Sequence, residues 1–247
     1  WERGLGTCHN CNTTFQLHTY QRKGASSKEY VRPVNNTDYN IPRTKIAEWF
    51  KSRGISTDTL INLQVGEGSE YMPQTGKKEN TIHFTYHVGD QLINIKYRDG
   101  RKNFKLYKGA EKVFYNINSI VGYDNCVITE GEMDVLALHE AGIKNAISVP
   151  NGATLSHNNL DYLDNCIDYF EDKTKIILAV DTDDPGLALR AELVRRLGAE
   201  VCFLADFEDC KDANEYLIKH GKEKLRQAIK QARPYPLENV TTFKDIE

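Results

Sequence analysis

Three groups of carboxylates follow short apolar stretches in the second half of this 247-residue chain. They lie in "VITEGEMDVLALHEAG", in "KIILAVDTDDPG" and in the stretch from "AEVCFL" to "KDANE". Their members are Glu130, Glu132 and Asp134; Asp181, Asp183 and Asp184; and Asp206, Glu208, Asp209 and Asp212. Carboxylates that converge repel one another unless a cation or a retained proton stabilises them. Oxygen ligands without nearby sulfur or imidazole favour a hard ion such as Mg²⁺, which can assist phosphoryl transfer.

The pattern around these acids predicts alternating strands and helices from about residue 124 onward. The predicted strands are "NCVIT", "NAISVP", "KIILAV" and "AEVCFL", each followed by a helical stretch. This alternation is typical of an α/β fold with a largely parallel sheet and covered faces. Because the carboxyl ends of parallel strands meet at one edge, we expect the three acidic groups to converge there. The alternative is that each acid at a helix start simply interacts with the helix dipole and with water.

A basic stretch, "NIKYRDGRKNFKLYKG", precedes the acidic groups. It continues a hairpin predicted for residues 81–104 with its turn at residues 89–90, after a helix in which Trp49 and Phe50 are expected in the core. Cations that alternate with aromatic residues suit a surface that binds phosphates and stacks bases. The alternative is a solvated edge strand that lysines protect from pairing. The candidate substrate- and nucleic-acid-binding residues are Lys96, Arg98, Arg101, Lys102 and Lys105.

Cys8 and Cys11 have the spacing of a zinc knuckle, although a structural zinc site needs four ligands. The other cysteines have no close cysteine or histidine partner of ligand type in the sequence; they are Cys126, Cys166, Cys202 and Cys210. The pair is therefore either half of a zinc ribbon or a pair that binds nothing. Since the chain starts at Trp1 and ends in a polar stretch, we interpret it as a piece of a longer protein.

Composition narrows the class of protein. The chain is 40% hydrophobic and 27% charged, as globular domains are. No apolar run approaches the roughly 18 residues of a membrane span, so no membrane partner is expected. Six cysteines with only one close pair favour a reducing, intracellular compartment over a disulfide framework. The net charge of −3 argues against a protein that coats nucleic acid with its whole surface.

The motifs "TEGEMD", "DTDDPG" and "KDANE" resemble, in order and spacing, the three acidic motifs of the Toprim domain. That domain is shared by bacterial primases, topoisomerases, small nucleases and recombination proteins. The basic "KYRDGRKNFKLYKGAEKVFYN" and the later "PNGA" are similar to the primase half of phage and organellar, Twinkle-like primase-helicases. The resemblance covers roughly residues 41–233. It implies an α/β fold in which a Toprim domain, with a mainly parallel sheet flanked by helices, follows a smaller α+β basic subdomain and a partial zinc-ribbon β segment.

The expected organisation has five segments. They are a partial zinc ribbon at residues 1–20, a linker at 21–40, the basic primase subdomain at 41–123, the Toprim catalytic domain at 124–233 and a linker toward a helicase domain at 234–247. The sequence contains no G-x-x-x-x-G-K-[ST] phosphate loop, so unwinding is not expected of this segment itself.

The resemblance also implies roles for individual residues. Glu130 corresponds to the catalytic glutamate, Asp181 and Asp183 to the magnesium-binding pair, and Asp212 to the third acid of the metal site. These four residues are the implied catalytic residues and ligands of Mg²⁺ or Mn²⁺, while Cys8 and Cys11 are a partial Zn²⁺ site. The basic residues would hold the template and the incoming nucleotides.

The implied function is that of a DNA-dependent RNA primase, which joins ribonucleoside triphosphates into short RNA primers on single-stranded DNA. The implied partners are a replicative helicase domain in cis and a DNA polymerase. The expected location is the cytoplasm of a bacterium or phage-infected host, with the organellar matrix as the alternative. Two other functions stay open: a metal-dependent Toprim nuclease, which would not need nucleoside triphosphates, and a catalytically inactive module that binds single-stranded DNA.

Overall fold

The computed structural model describes residues 5–7, 14–16, 29–39, 45–153 and 160–236. The chain divides into two compact units, Trp1–Tyr30 and Val31–Glu247. In the first unit, β1 (Leu5–Thr7) pairs antiparallel with β2 (Thr14–Gln16). Cys8 and Cys11 lie outside the described residues, so the partial zinc ribbon stays a prediction, as does the division into five segments.

The second unit contains a four-stranded antiparallel sheet. Its strands, in spatial and sequence order, are β3 (Val65–Met72), β4 (Lys77–Val88), β5 (Gln91–Asp99) and β6 (Phe104–Leu106). The helices α1 (Lys45–Ser52) and α2 (Thr57–Asn62) precede it. The predicted hairpin of β4 and β5 is confirmed, and Gly89, with a φ of +56°, supplies the left-handed conformation at its turn.

A five-stranded sheet forms the rest of this unit. Its strands are β7 (Asn125–Thr129), β8 (Ala146–Ser148), β9 (Lys175–Ala179), β10 (Cys202–Leu204) and β11 (Arg233–Pro234), in the order β11-β10-β9-β7-β8. All neighbours are parallel except β10 and β11, which confirms the mainly parallel sheet expected from the sequence.

Four helices alternate with these strands: α3 (Glu132–Glu140), α4 (Asp161–Cys166), α5 (Asp184–Leu197) and α6 (Ala213–Lys230). Gly221 interrupts α6 with a φ of +82°, so the two closing helices predicted from the sequence meet there. Among the residues that the structure describes, no helix is long and apolar enough to cross a membrane.

One apolar core joins the two sheets of the second unit. Phe84 and Tyr86 of β4 belong to the same buried cluster as Val127 and Ile128 of β7. Tyr115 packs between them, because its ring contacts both β4 aromatics edge-on and its backbone pairs with β8. Burial of such large side chains contributes about 1.5–3 kcal/mol each, so the two sheets stabilise one another.

A buried ion pair also connects the antiparallel sheet with α3. The Lys96 Nζ on β5 lies 2.8 and 3.0 Å from the two carboxylate oxygens of Glu132, and both residues are less than a tenth exposed. The Tyr86 hydroxyl donates a hydrogen bond to the same carboxylate. Since β5 lies between β4 and β6, the interpretation of this stretch as a solvated edge strand is wrong for Lys96.

We expect Lys96→Met to lower the free energy of unfolding by about 3–5 kcal/mol, because it leaves the Glu132 carboxylate buried without its cation. Adding Glu132→Gln should restore much of that loss, since a neutral amide oxygen still accepts the Tyr86 hydrogen bond. Urea denaturation of the single and double variants measures the coupling. Lys105→Met, whose ion pair with Glu70 is partly exposed, is the control and should cost no more than about 1 kcal/mol. Equal losses for Lys96→Met and Lys105→Met would contradict this account.

Candidate active site

Three of the predicted acids converge at the carboxyl edge of the parallel sheet. Glu130 follows β7, and Asp181 and Asp183 follow β9, the strand that pairs with β7. One carboxylate oxygen from each residue lies within 4.8 Å of the others. The parallel register therefore brings together residues that are 51 positions apart in the chain, Glu130 and Asp181.

The environment of these acids opposes their ionisation. Burial raises the pKa of Glu130, and the negative charge of Asp181 raises it further. Its Oε1 accepts a hydrogen bond from the Ala153 backbone N–H at 3.2 Å, while its buried Oε2 has no hydrogen-bond partner among the described residues. Burial also raises the pKa of Asp181, although the Lys211 Nζ lies 3.0 Å from its Oδ2. Additional positive charge, such as that of a bound cation, would therefore stabilise the ionised form of these acids.

A second pair of acids lies beside this group. Asp134 is 7% exposed, and burial together with the charge of Asp212 raises its pKa well above the ordinary value. Its Oδ1 accepts a hydrogen bond from the Asn214 backbone N–H at 3.1 Å. The five acids around this edge are Glu130, Asp134, Asp181, Asp183 and Asp212.

Two of the acids are also helix N-caps. Asp183 accepts from the Gly186 backbone N–H at 3.0 Å, and Asp212 accepts from the Glu215 backbone N–H at 2.7 Å. Asp183 and Asp212 therefore do interact with helix starts, as the alternative to a metal site proposed, and they also belong to the acidic edge. This interaction fixes the position of each carboxylate by orienting it toward the first turn of α5 or α6.

Close packing sets the position of Asp181. A Cβ atom on Gly186, in the first turn of α5, would lie 2.2 Å from the Asp181 backbone oxygen. Only glycine lets the helix approach the end of β9 so closely. This glycine is the last residue of "DTDDPG", but the pattern of acids alone does not show that a glycine is required there.

The expectation that all three acidic groups converge is wrong for five residues: Glu132, Asp184, Asp206, Glu208 and Asp209 lie outside the acidic edge, and Asp184 is exposed. Glu132 pairs with Lys96, and Asp206 accepts from the backbone N–H of Glu208. Asp209 is exposed and forms an ion pair with Lys219. Glu208 has a left-handed φ of +53° in the turn after β10, and with Asp206 it lines a separate cavity of about 180 Å³.

Four of the five acids of the edge line one cavity of about 680 Å³ together with several of the basic residues; these acids are Glu130, Asp134, Asp181 and Asp212. Four of the five predicted binding residues contribute to it: Lys96, Arg98, Lys102 and Lys105. The lining residues that were not predicted as site residues include Trp49, Arg53 and Lys211. Arg101 does not line this cavity, and its backbone N–H binds the Asp99 carboxylate.

The basic side chains of the cavity make different contacts with the rest of the protein. The Arg98 guanidinium stacks on Trp49, with its central carbon 4.4 Å from the ring centroid. Trp49 is therefore part of the cavity wall, whereas its neighbour Phe50 is fully buried as expected. The Lys105 Nζ contacts Glu70 at 2.9 Å, and Lys102 is exposed at the rim. Stacking keeps Arg98 extended and leaves its planar edge available to an anion.

We expect Asp134→Asn to raise the free energy of unfolding in metal-free buffer at neutral pH by about 0.5–2 kcal/mol, as relief of a strained functional site commonly does. The folded-state pKa of Asp134 is raised, so its destabilising effect is absent below the unfolded pKa of about 3.9 and grows as the pH rises toward the folded value. Thermal unfolding from pH 4 to pH 8 measures the gain, with the exposed Asp184→Asn as control. A gain that does not grow with pH would contradict the role given to Asp134.

Comparisons with known proteins agree with this arrangement. Residues 127–217 match the Toprim-like family, and this interval contains all five acids of the edge. A primase homolog protein of Arabidopsis thaliana is 37% identical over 212 residues, which cover 79% of this chain and 61% of that protein. The Twinkle homolog protein, chloroplastic/mitochondrial, of the same plant is 34% identical over 219 residues, which cover 82% of this chain and 30% of that protein.

The fold has a counterpart among solved structures. The crystal structure of the primase fragment of the bacteriophage T7 primase-helicase protein matches with a TM-score of 0.61. It is 22% identical, and the match covers 92% of this chain and 91% of that chain. The chain spans less than two thirds of the length of either plant relative. Its acidic edge, its fold and these homologues together show that the chain contains a Toprim-like domain at residues 127–217 and is similar to the plant primase and Twinkle homologues.

Proposed function

We propose that this chain is the catalytic part of a DNA-dependent RNA primase, which joins ribonucleoside triphosphates into short primers on single-stranded DNA. The observation that carries the proposal is the shared cavity, in which buried acids face stacked and exposed cations. Template-directed synthesis needs both, because the phosphates of template and nucleotide require cations and the reacting phosphate requires a metal site. The two plant homologues, named for primase and Twinkle, support this proposal.

The acidic group fits a hard divalent cation. It offers only oxygen ligands, and the buried Glu130 Oε2 has no hydrogen-bond partner among the described residues. Glu130, Asp181 and Asp183 would hold Mg²⁺ or Mn²⁺, with Asp212 close by on the start of α6. When bound, such an ion would stabilise negative charge on the transferred phosphate and favour ionisation of the attacking hydroxyl.

The residues of the chain have separate tasks in this proposal. Glu130, whose pKa is raised, is suited to exchange a proton with the attacking 3′-hydroxyl or to serve as a ligand. Arg98 and Lys102 would bind nucleotide and template phosphates, with Arg98 oriented by Trp49. Lys211, which neutralises part of the Asp181 charge, would contact a phosphate bound beside the acids.

Lys96 has a different task from the one that its sequence context indicated. Because it is buried against Glu132, it would hold the first turn of α3 in place rather than bind phosphate. Asp134 lies within that turn and Glu130 lies two residues before it, so the ion pair helps to position both acids. Arg101 lies outside the cavity, and a contact with template there stays a prediction.

The assembly is also part of the proposal. The proposed partners are a helicase domain in cis and a DNA polymerase, which would receive the primer. The chloroplastic/mitochondrial name of one relative favours the organellar matrix over the cytoplasm. A Toprim nuclease would use the same acids for cleavage, and a binding module would use only the basic wall. Both are outcomes of the experiment below.

We expect the protein to incorporate labelled ribonucleotides on pre-primed single-stranded DNA in the presence of Mg²⁺. Asp181→Asn combined with Asp183→Asn should reduce incorporation by about 10²-fold or more, because two of the three acids of the metal group lose their charge. Denaturing gel electrophoresis measures the product, and a pre-existing primer avoids any need for a complete zinc ribbon.

The matched control is Asp184→Asn, an exposed acid of the same motif that does not line the cavity and should leave incorporation unchanged. Cleavage of the DNA without nucleoside triphosphates would favour the nuclease. DNA binding with no product, in wild type and variants alike, would favour the binding module. Either result would overturn the primase proposal.

A further inference from the structure

A second group of ligand-type side chains lies between the turn after β10 and the middle of α6. One ligand atom each from Asp209, Cys210 and His220 lies within 4.8 Å of the others. The Cys210 Sγ is 3.8 Å and the His220 Nε2 is 3.9 Å from the same oxygen, Asp209 Oδ1. The expectation that no downstream cysteine has a histidine partner is therefore wrong for Cys210, because the fold of α6 brings His220 back to it.

These distances suit a single transition-metal ion. With metal–ligand lengths of about 2.0–2.3 Å, the ligands of a tetrahedral Zn²⁺ lie about 3.3–3.6 Å apart. The two edges at Asp209 Oδ1, 3.8 and 3.9 Å, are a few tenths of an ångström longer than this, and the third edge is within 4.8 Å, so the three side chains need to close in to bind one ion. Thiolate, imidazole and carboxylate together favour Zn²⁺ or a similar ion over Mg²⁺, which prefers oxygen ligands.

The state of the side chains points to a ligand. The His220 Nε2 is buried and has no hydrogen-bond partner among the described residues, which costs free energy unless another group binds it. Cys210 is 6% exposed, so its thiol is sheltered from solvent. Tyr216 packs on the His220 ring at 4.5 Å between centroids and orients it toward the turn. Lys219 pairs with Asp209 through Oδ2, while Oδ1 faces the other two ligands.

We infer that Asp209, Cys210 and His220 form a binding site for one Zn²⁺-type ion, with a water molecule as the fourth ligand. The site would join the turn before α6 to the part of that helix that ends at Gly221. Two residues between its ligands in the sequence belong to or contact the acidic edge: the charge of Asp212 raises the pKa of Asp134, and the Asn214 backbone N–H donates a hydrogen bond to Asp134. The ion would therefore fix the start of α6, and its binding does not depend on the proposed primase activity.

Cobalt(II) titration of the chelator-treated protein tests this site. The background is Cys8→Ser with Cys11→Ser, because that pair could also bind a thiolate-seeking metal. We expect one equivalent of Co²⁺ to bind with a thiolate-to-cobalt charge-transfer band, and Zn²⁺ but not Mg²⁺ to displace it. Cys210→Ser should abolish the band, and His220→Gln should weaken Co²⁺ binding at least tenfold, as loss of an imidazole ligand does.

Cys166→Ser, a change at another buried cysteine, is the matched control and should keep the band and the affinity. Circular dichroism checks the fold of each variant, and His220→Gln tests the site by its affinity even if Cys210→Ser does not fold. The band should also persist in Asp181→Asn with Asp183→Asn, which separates this site from the acidic edge. Absence of a band in the background protein, or a band and affinity that survive both Cys210→Ser and His220→Gln, would overturn the inference.

Discussion

The buried carboxylates of the acidic edge repel one another electrostatically, and the fold must overcome that repulsion to bring them together. Glu130, Asp134 and Asp181 are all held at one sheet edge where burial raises their pKa values. A protein under no functional demand would separate these groups or expose them, because each ionised carboxylate is costly in a site of low polarity. The fold instead keeps them close, with Lys211 as a partial counter-charge on Asp181.

Several interactions hold the acids against that repulsion. The parallel pairing of β7 and β9 sets Glu130 opposite the end of the neighbouring strand, and the caps of α5 and α6 fix Asp183 and Asp212. The buried Lys96–Glu132 pair anchors the start of α3 to the antiparallel sheet. The same sheet supplies the cations of the cavity, so acidic and basic walls are positioned by one packed core.

Much of this arrangement could be predicted from the sequence, because it follows from local patterns. The strand and helix periods predicted the parallel sheet and the hairpin, and the place of the acids after strands predicted the meeting of Glu130, Asp181 and Asp183. β3 was not predicted, since "VGEGSEYM" replaces apolar alternation with two glycines; a Cβ on Gly66 would lie 2.1 Å from Thr37. The burial of Lys96 and the meeting of Cys210 with His220 depend on tertiary contacts that no local pattern contains.

We expect the acidic edge to bind a divalent cation in place of its protons. Calorimetric titration with Mn²⁺ at neutral pH, in buffers with different ionisation enthalpies, counts the protons released on binding. Since burial raises the pKa values of Glu130 and Asp134 in the metal-free protein, the account predicts that the number of protons released on Mn²⁺ binding increases as the pH is lowered. It also predicts loss of this binding in Asp181→Asn with Asp183→Asn. Mn²⁺ binding without proton release, or binding unchanged in that variant, would contradict the account.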